Sequence, residues 1–159
     1  MFSARDGSEG VEAIKKDTSF DCILMDIQCV LLVIGRAASV YVYFLSRMPI
    51  LNGFEAAKAI RESSSPVASP ESGAKPLRRS RYLNGGRMPI FAVSASLLER
   101  QRGEMLNYGM DGWILKPIDF KRLRKLLAGI NSPKERNSAV YRPGCNWEEG
   151  GWFCPSEVV

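Results

Sequence analysis

The sequence predicts an α/β fold, a doubly wound sheet of parallel strands. Three short apolar runs carry that expectation: Phe20-Asp21-Cys22-Ile23-Leu24-Met25-Asp26-Ile27-Gln28, Pro89-Ile90-Phe91-Ala92-Val93 and Gly112-Trp113-Ile114-Leu115. Strands buried on both faces read as near-continuous apolar runs of this length, not as alternating ones. Each run also delivers a polar group at its end: Asp26, Ser94, and Lys116 followed by Pro117. In open α/β sheets the functional crevice lies outside the carboxyl ends of the strands, so these three residues are the candidate site. Amphipathic stretches separate the runs, as crossover connections between parallel strands require.

The chain has 159 residues, 45% apolar and 25% charged, which suits one domain with extras around a single core. It contains no His, which argues against triads and zinc sites. The net charge of +5 raises a nucleic-acid reading. The basicity is concentrated in loops, however: Lys75, Arg78, Arg79, Arg81 and Arg87 face one carboxylate, Glu71, and Arg36 and Arg47 lie in another irregular stretch. A solvated loop is therefore favoured over a nucleic-acid face. Cys22, Cys29, Cys145 and Cys154 show no C-x-x-C spacing. Cys22 reads as a small core residue, and a Cys145–Cys154 disulfide stays open as an alternative to free thiols. No signal peptide is visible, so the expected compartment is reducing and intracellular, cytoplasmic or nuclear.

Taken in order, residues 1–5 read as the end of a strand. Asp6-Gly7 makes a turn, and Ser8 caps a helix over Glu9–Lys16 with Val11 and Ile14 on one face. After the first apolar run, residues 29–47 form a strongly β-prone stretch that interrupts the pattern. It is near the lower limit for crossing a membrane and contains Arg36, so a membrane span is disfavoured. Pro49 fixes the following loop, and Gly53 permits a close turn before a helix of about Phe54–Arg61, with Phe54, Ala57 and Ile60 in the core. Residues 63–87, rich in Ser, Pro, Gly and Arg, read as a disordered linker.

Beyond Ser94, Ser96-Leu97-Leu98-Glu99 matches a capping box that opens a helix to about Tyr108, stopped by Gly109. Asp119 caps a last helix whose apolar stripe is Phe120, Leu123, Leu126 and Leu127. Residues 131–159 read as a polar tail, with Trp147 and Trp152 on its surface or mobile.

A strand-end Asp, a strand-end hydroxyl and a strand-end Lys-Pro, in that order, resemble the receiver (CheY-like) domain of two-component response regulators. The wording "DGWILKPIDFKRL" around Lys116 is similar to receivers of fungal hybrid histidine kinases. The resemblance implies a flavodoxin-like sheet of strand order 2-1-3-4-5 and a phosphorelay role. Asp26 would be the phosphoacceptor, Lys116 the cation facing the phosphoryl group, and Ser94 the hydroxyl that hydrogen-bonds it. Trp113 stands at the position of an aromatic side chain that changes rotamer on phosphorylation. Pro49 and Gly53 belong to the post-aspartate loop, and the Lys116–Pro117 bond is cis in the family. Mg²⁺ is expected for the family, held here by Asp26 and the backbone carbonyl of Gln28. The partner would be a histidine kinase or a histidine phosphotransfer protein, with no nucleic acid and no membrane involved. The chain would be phosphorylated by that partner and would not itself be an enzyme.

The sequence departs from the receiver pattern in two places. The first strand and first helix, with the two adjacent acidic residues that help hold Mg²⁺, are missing, so the fold is expected to be incomplete. Removing residues 29–47 leaves "LMDIQMPILNGFEA", an uninterrupted receiver sequence. That stretch reads as a translated intron, since a Gln28 codon split at a splice donor and an Arg47 codon ending at an acceptor are compatible with the residues. The organisation is thus a receiver over 1–130, with the insert at 29–47 and the linker at 63–87, and a tail over 131–159. The alternative function is a degenerate receiver fragment that transfers no phosphate and acts as a protein-interaction module.

Overall fold

The computed structural model describes residues 8, 11, 12, 14, 20–27, 52–63, 84–145 and 147–154. The insert at 29–47, Cys29, Gln28, Pro49, the strand end at 1–5 and residues 64–83 of the linker lie outside them. Strand β1 (Ile23–Asp26) is followed by helix α1 (Gly53–Ser63) and β2 (Ile90–Ser94). A 3₁₀ turn (Glu99–Gln101) then runs into α2 (Arg102–Asn107), followed by β3 (Gly112–Leu115), α3 (Phe120–Asn131), α4 (Pro133–Ser138), a second 3₁₀ turn (Trp147–Glu149) and β4 (Gly151–Trp152).

The sheet order is β1-β2-β3-β4. β1 pairs with β2, and β2 with β3, in parallel; β4 joins β3 antiparallel, with Gly112 opposite Trp152 and Trp113 opposite Gly151. The two-residue periodicity of the strands divides the core into two layers. Ile23, Met25, Ile90, Ala92 and Trp113 face one side, where Ala56, Ala57 and Ile60 of α1 and Met105 of α2 cover them. Val11 and Ile14, which are helical and buried, belong to the same layer, as the helical spacing predicts, while Ser8 is itself helical and not the residue before the helix. Leu24, Phe91, Val93 and Ile114 face the other side, against Leu123, Leu126 and Ile130 of α3. Each such side chain contributes about 1.5–3 kcal/mol when fully buried. The fold is α/β with a mostly parallel sheet covered on both faces, as the apolar runs imply.

Several local expectations are corrected. Phe120 is not part of the α3 stripe: it is 68% exposed, and Ile130 takes its place in the buried set. The helix turns the residue just past the Asp119 cap away from the sheet, although the cap itself holds, with Asp119 Oδ1 accepting from Lys121 and Arg122. The box around Ser96 is also different. Gln101 Oε1 accepts from Leu98 N at 3.0 Å, while Ser96 N donates to Ser94 Oγ, so the helix opens as a 3₁₀ turn at Glu99.

The segment beyond Asn131 is packed where it is described. Ser132 caps α4, and Trp152 (2% exposed) and Phe153 (2%) join the two core layers. Apolar residues spaced without a helical or strand period leave no signature in the sequence, and the exposed flank of β3 gives them a surface to cover. Cys145 and Cys154 are free thiols, so the disulfide alternative fails, while Cys22 is buried in the core as expected. Burial, with Asp21 adding to it, pushes the Cys22 thiol up to about 12. Among the described residues no helix is long and apolar enough to cross a membrane.

Candidate functional site

The site is the carboxyl edge of the sheet. Asp26 is the last residue of β1 and lies beside Val93, so Ser94, the last residue of β2, extends one step further on the neighbouring strand. Ser94 in turn lies beside Leu115, which hands the chain to Lys116. Adjacent strands are about 4.8 Å apart, so this register alone gathers the three residues into one small region. The ladder continues past the strand ends: Ile27 N donates to Val93 O at 3.0 Å and Lys116 N to Ser94 O at 2.9 Å. These bonds hold the loops that carry the reactive groups.

Asp26 and Ser94 are both buried, at 2% and 3% exposure. Lys116 Nζ donates to Asp26 Oδ2 and forms an ion pair with it, from a side chain that is still 25% exposed. Ser94 Oγ accepts from Ser96 N at 3.2 Å, which leaves its hydrogen available to another acceptor. The Lys116–Pro117 peptide bond is cis. An open groove of about 740 Å³ lies on the Lys116 side, with Lys116, Pro117, Lys121 and Lys125 among its walls and Glu148 and Glu149 at the side of the C-terminal segment; Asp26 and Ser94 do not line it.

Gly53 does more than allow a turn. A Cβ there would lie 2.6 Å from Asp26 O and 3.0 Å from Ile27 Cα, so α1 starts against the backbone that carries the Asp26 carboxylate. That start is fixed by a reciprocal capping box absent from the expectations above: Glu55 N donates to Asn52 Oδ1 at 2.9 Å and Asn52 N to Glu55 Oε2 at 3.1 Å. The Asn-x-x-Glu spacing was its readable signal. Gln28 and Pro49 lie outside the described residues.

Trp113 is fully buried on β3, three residues before Lys116. Trp147 stacks on it, with ring centroids 3.8 Å apart, and Phe153 and Tyr141 close two further sides. Tyr141 donates its hydroxyl to Glu99, and this bond raises its pKa. Nothing in the sequence pointed to this aromatic group, because its members are separated by about a turn or more of irregular chain.

The described residues by themselves do not suit Mg²⁺. They contain no group of three or more His, Cys, Asp or Glu able to share an ion, whereas Mg²⁺ needs an octahedral oxygen shell. The carboxylate of Asp26 is engaged by an ammonium group instead.

No protein-family model matches the chain. Among curated proteins it is 31% identical over 128 residues to hybrid signal transduction histidine kinase I of Dictyostelium discoideum, covering 78% of this chain and 5% of that protein. It is 26% identical over 137 residues to histidine kinase 3 of Arabidopsis thaliana, covering 85% of this chain and 11% of that one. The chain thus spans about a tenth or less of the length of the curated relatives it matches. A solved receiver domain of a Pseudomonas aeruginosa sensor histidine kinase, with a magnesium ion coordinated in its active-site cleft, aligns at 25% identity and a TM-score of 0.49, covering 81% of this chain and 75% of that one. Likeness at this level to several histidine kinases, in a chain that brings Asp26, Ser94 and Lys116 to one sheet edge, makes this protein a receiver (CheY-like) domain related to the receiver regions of hybrid histidine kinases.

Proposed function

We propose that the chain is a phosphorelay receiver that accepts a phosphoryl group on Asp26 from a phosphohistidine donor. The observation that carries this reading is the ion pair between Asp26 and Lys116, beside Ser94, at the carboxyl edge of the sheet. An Asp26 oxygen attacks phosphorus, the new O–P bond forms as the P–N bond breaks, and the donor imidazole leaves with the electron pair and takes up a proton. A carboxylate is a weak nucleophile toward an anionic phosphoryl group, so charge neutralisation decides the rate. Lys116 supplies one positive charge at the right place, and the Ser94 hydroxyl can donate to a phosphoryl oxygen. Trp113, Gly53 and Pro117 shape the surroundings in this reading, and Pro49 belongs to the post-aspartate loop of the family pattern. The partner is a histidine kinase or a histidine phosphotransfer protein, and the chain is its substrate. If Mg²⁺ serves this site, it takes Asp26 as one ligand and needs others from outside the described residues.

A second reading, a receiver that binds partners without accepting phosphate, is favoured by one observation: the described residues hold no cluster of metal-ligating side chains. Transfer of radiolabel from a phosphohistidine donor, with Asp26→Asn as control, separates the two. Label that depends on Asp26 supports the first reading, and its absence from the folded protein supports the second. Deleting residues 29–47 should speed labelling, because the insert begins three residues beyond Asp26 and interrupts an otherwise continuous receiver sequence.

A further inference from the structure

A second cavity, of about 430 Å³, lies between the start of α2 and the segment that follows α4, and its volume falls in the range of small-molecule sites. Arg102 of α2 and Asn137 of α4 form part of its wall, and Tyr141, Arg142 and Cys154 of the C-terminal segment form the rest, with Val140 and Pro143 as the apolar side. None of these residues lines the groove beside Lys116. The two charged residues in the wall are both arginines, and no carboxylate of the described residues lines the cavity. Glu99 meets the Tyr141 hydroxyl at 2.5 Å and is not part of the wall. Arg102 lies close enough to this hydroxyl to pull the Tyr141 pKa down against the upward push of Glu99, which puts its charge at the Tyr141 end. The wall is built from paired backbone: Tyr141 N donates to Trp152 O at 2.8 Å, and Trp152 N to Ala139 O at 2.9 Å. Arg142 opens a tight turn in which Cys145 N donates to its carbonyl at 2.9 Å and Gly144 takes φ 89°, so the second arginine also stands on a closed turn.

We propose that this cavity binds a small dicarboxylate, with one carboxylate group on each of Arg102 and Arg142 and the carbon chain against Val140 and Pro143. A guanidinium presents its donors in a planar fork that matches the two oxygens of a carboxylate, and such charge-assisted pairs are stronger than neutral hydrogen bonds. A wall with cations of one sign and no lining carboxylate selects an anion, and two cations select a ligand with two charges. A compact inorganic anion would fill little of the volume and leave the apolar side uncovered. The Asn137 carboxamide adds a donor at the mouth. The proposal is independent of the phosphoacceptor reading, since no wall residue belongs to the carboxyl edge of the sheet, and it involves no covalent step. Because the wall joins α2 to the C-terminal segment, it exists only in the folded chain, and a ligand held there stabilises the fold by mass action.

The test uses the full chain carrying Cys145→Ser, so that Cys154 is the one thiol of the C-terminal peptide. Succinate is the probe, and sodium chloride at matched ionic strength is the salt control. Alkylation of Cys154 by iodoacetamide, followed by mass spectrometry of that peptide, should slow as succinate fills the cavity, with half-protection at about 1 mM or below. Arg142→Gln should raise the half-protecting concentration by about tenfold or more, the loss of one charge-assisted pair. Arg142 is exposed, so this variant keeps the fold, and its melting curve checks that. Arg124→Gln, an exposed arginine of α3 outside the wall, should leave protection unchanged. The melting temperature should rise with succinate in the parent chain and stay level in Arg142→Gln. Equal protection by sodium chloride, or undiminished protection in Arg142→Gln, overturns the proposal. So does the lack of both protection and a melting shift at about 10 mM succinate. Protection by inorganic phosphate at lower concentration than by succinate overturns the dicarboxylate assignment.

Discussion

Two aspartates are buried in this sheet, one at each end, and they are held in opposite ways. Asp111 precedes β3 at the amino end. Its Oδ1 accepts from Arg87 Nη2 at 2.6 Å, and its Oδ2 from Arg61 Nη2 at 2.6 Å and from Ile90 N at 2.8 Å. Arg61 goes on to donate to the carbonyls of Met88 and Gly109, so one guanidinium ties the end of α1 to the start of β2 and the approach to β3. Burial pulls the Arg61 pKa down, and Asp111 opposes that pull. At the carboxyl end Asp26 meets the ammonium of Lys116, a point charge on a flexible stem with a quarter of its side chain exposed. Planar guanidinium forks lock a carboxylate in place, whereas an ammonium can follow a charge that moves. The amino end is built to stay shut, and the carboxyl end can exchange partners.

The largest expected effect is at the locked end. Asp111→Ala removes the carboxylate that Arg61 and Arg87 share, and removing one partner of such a network costs about 3–5 kcal/mol. Urea unfolding should show that loss, and a loss below about 1 kcal/mol would erase the contrast between the two ends. Next comes Gly53→Ala, whose Cβ presses on the backbone of Asp26 and Ile27. Overpacking of this kind costs about 1–3 kcal/mol, and here it also displaces the acceptor, so stability and labelling should fall together.

Just before β1, at the amino end, lies the buried thiol of Cys22, pushed up to about 12 from 9.0. The raised value means the folded state favours the protonated thiol. That contribution is complete below pH 9 and disappears as pH rises through about 12. At pH 10 the unfolded thiol is mostly ionised, which removes roughly 1 kcal/mol. The alkaline loss measured by denaturant melts should shrink in Cys22→Ala; an identical pH dependence in that variant would contradict the assignment.

The smallest effect on stability is expected from Asp26→Asn. The amide keeps the shape, and Lys116 can turn its ammonium to water, so the change should stay within about 1 kcal/mol of wild type while labelling is abolished. A stability loss as large as that of Asp111→Ala would show that the carboxyl end is structural after all.

The carboxyl end was the more legible of the two. Asp26, Ser94 and Lys116 each close an apolar run, so their place at the carboxyl edge follows from strand direction alone. Asp111 gave no such signal, because the guanidinium groups that hold it come from positions 61 and 87 and meet it only when α1 packs on the sheet. Phe120 shows the reverse error: helical spacing placed it on the stripe, and the α3 start turned it out to 68% exposure.

By itself the sequence determined the strand directions, the two-faced burial of β1 to β3, and the residues presented at their carboxyl ends. These depend on local apolar runs and on the two-residue period of a strand, which are properties of neighbours along the chain. Only the tertiary structure decided that Trp147 and Trp152 are part of the domain, that β4 closes the flank of β3 in antiparallel register, and that Trp113 is sealed rather than open. Those contacts join residues 34 and 50 positions apart across several intervening elements, as Trp113 with Trp147 and Leu97 with Trp147. No local pattern encodes them, because what selects them is the apolar edge that the rest of the fold leaves to be covered.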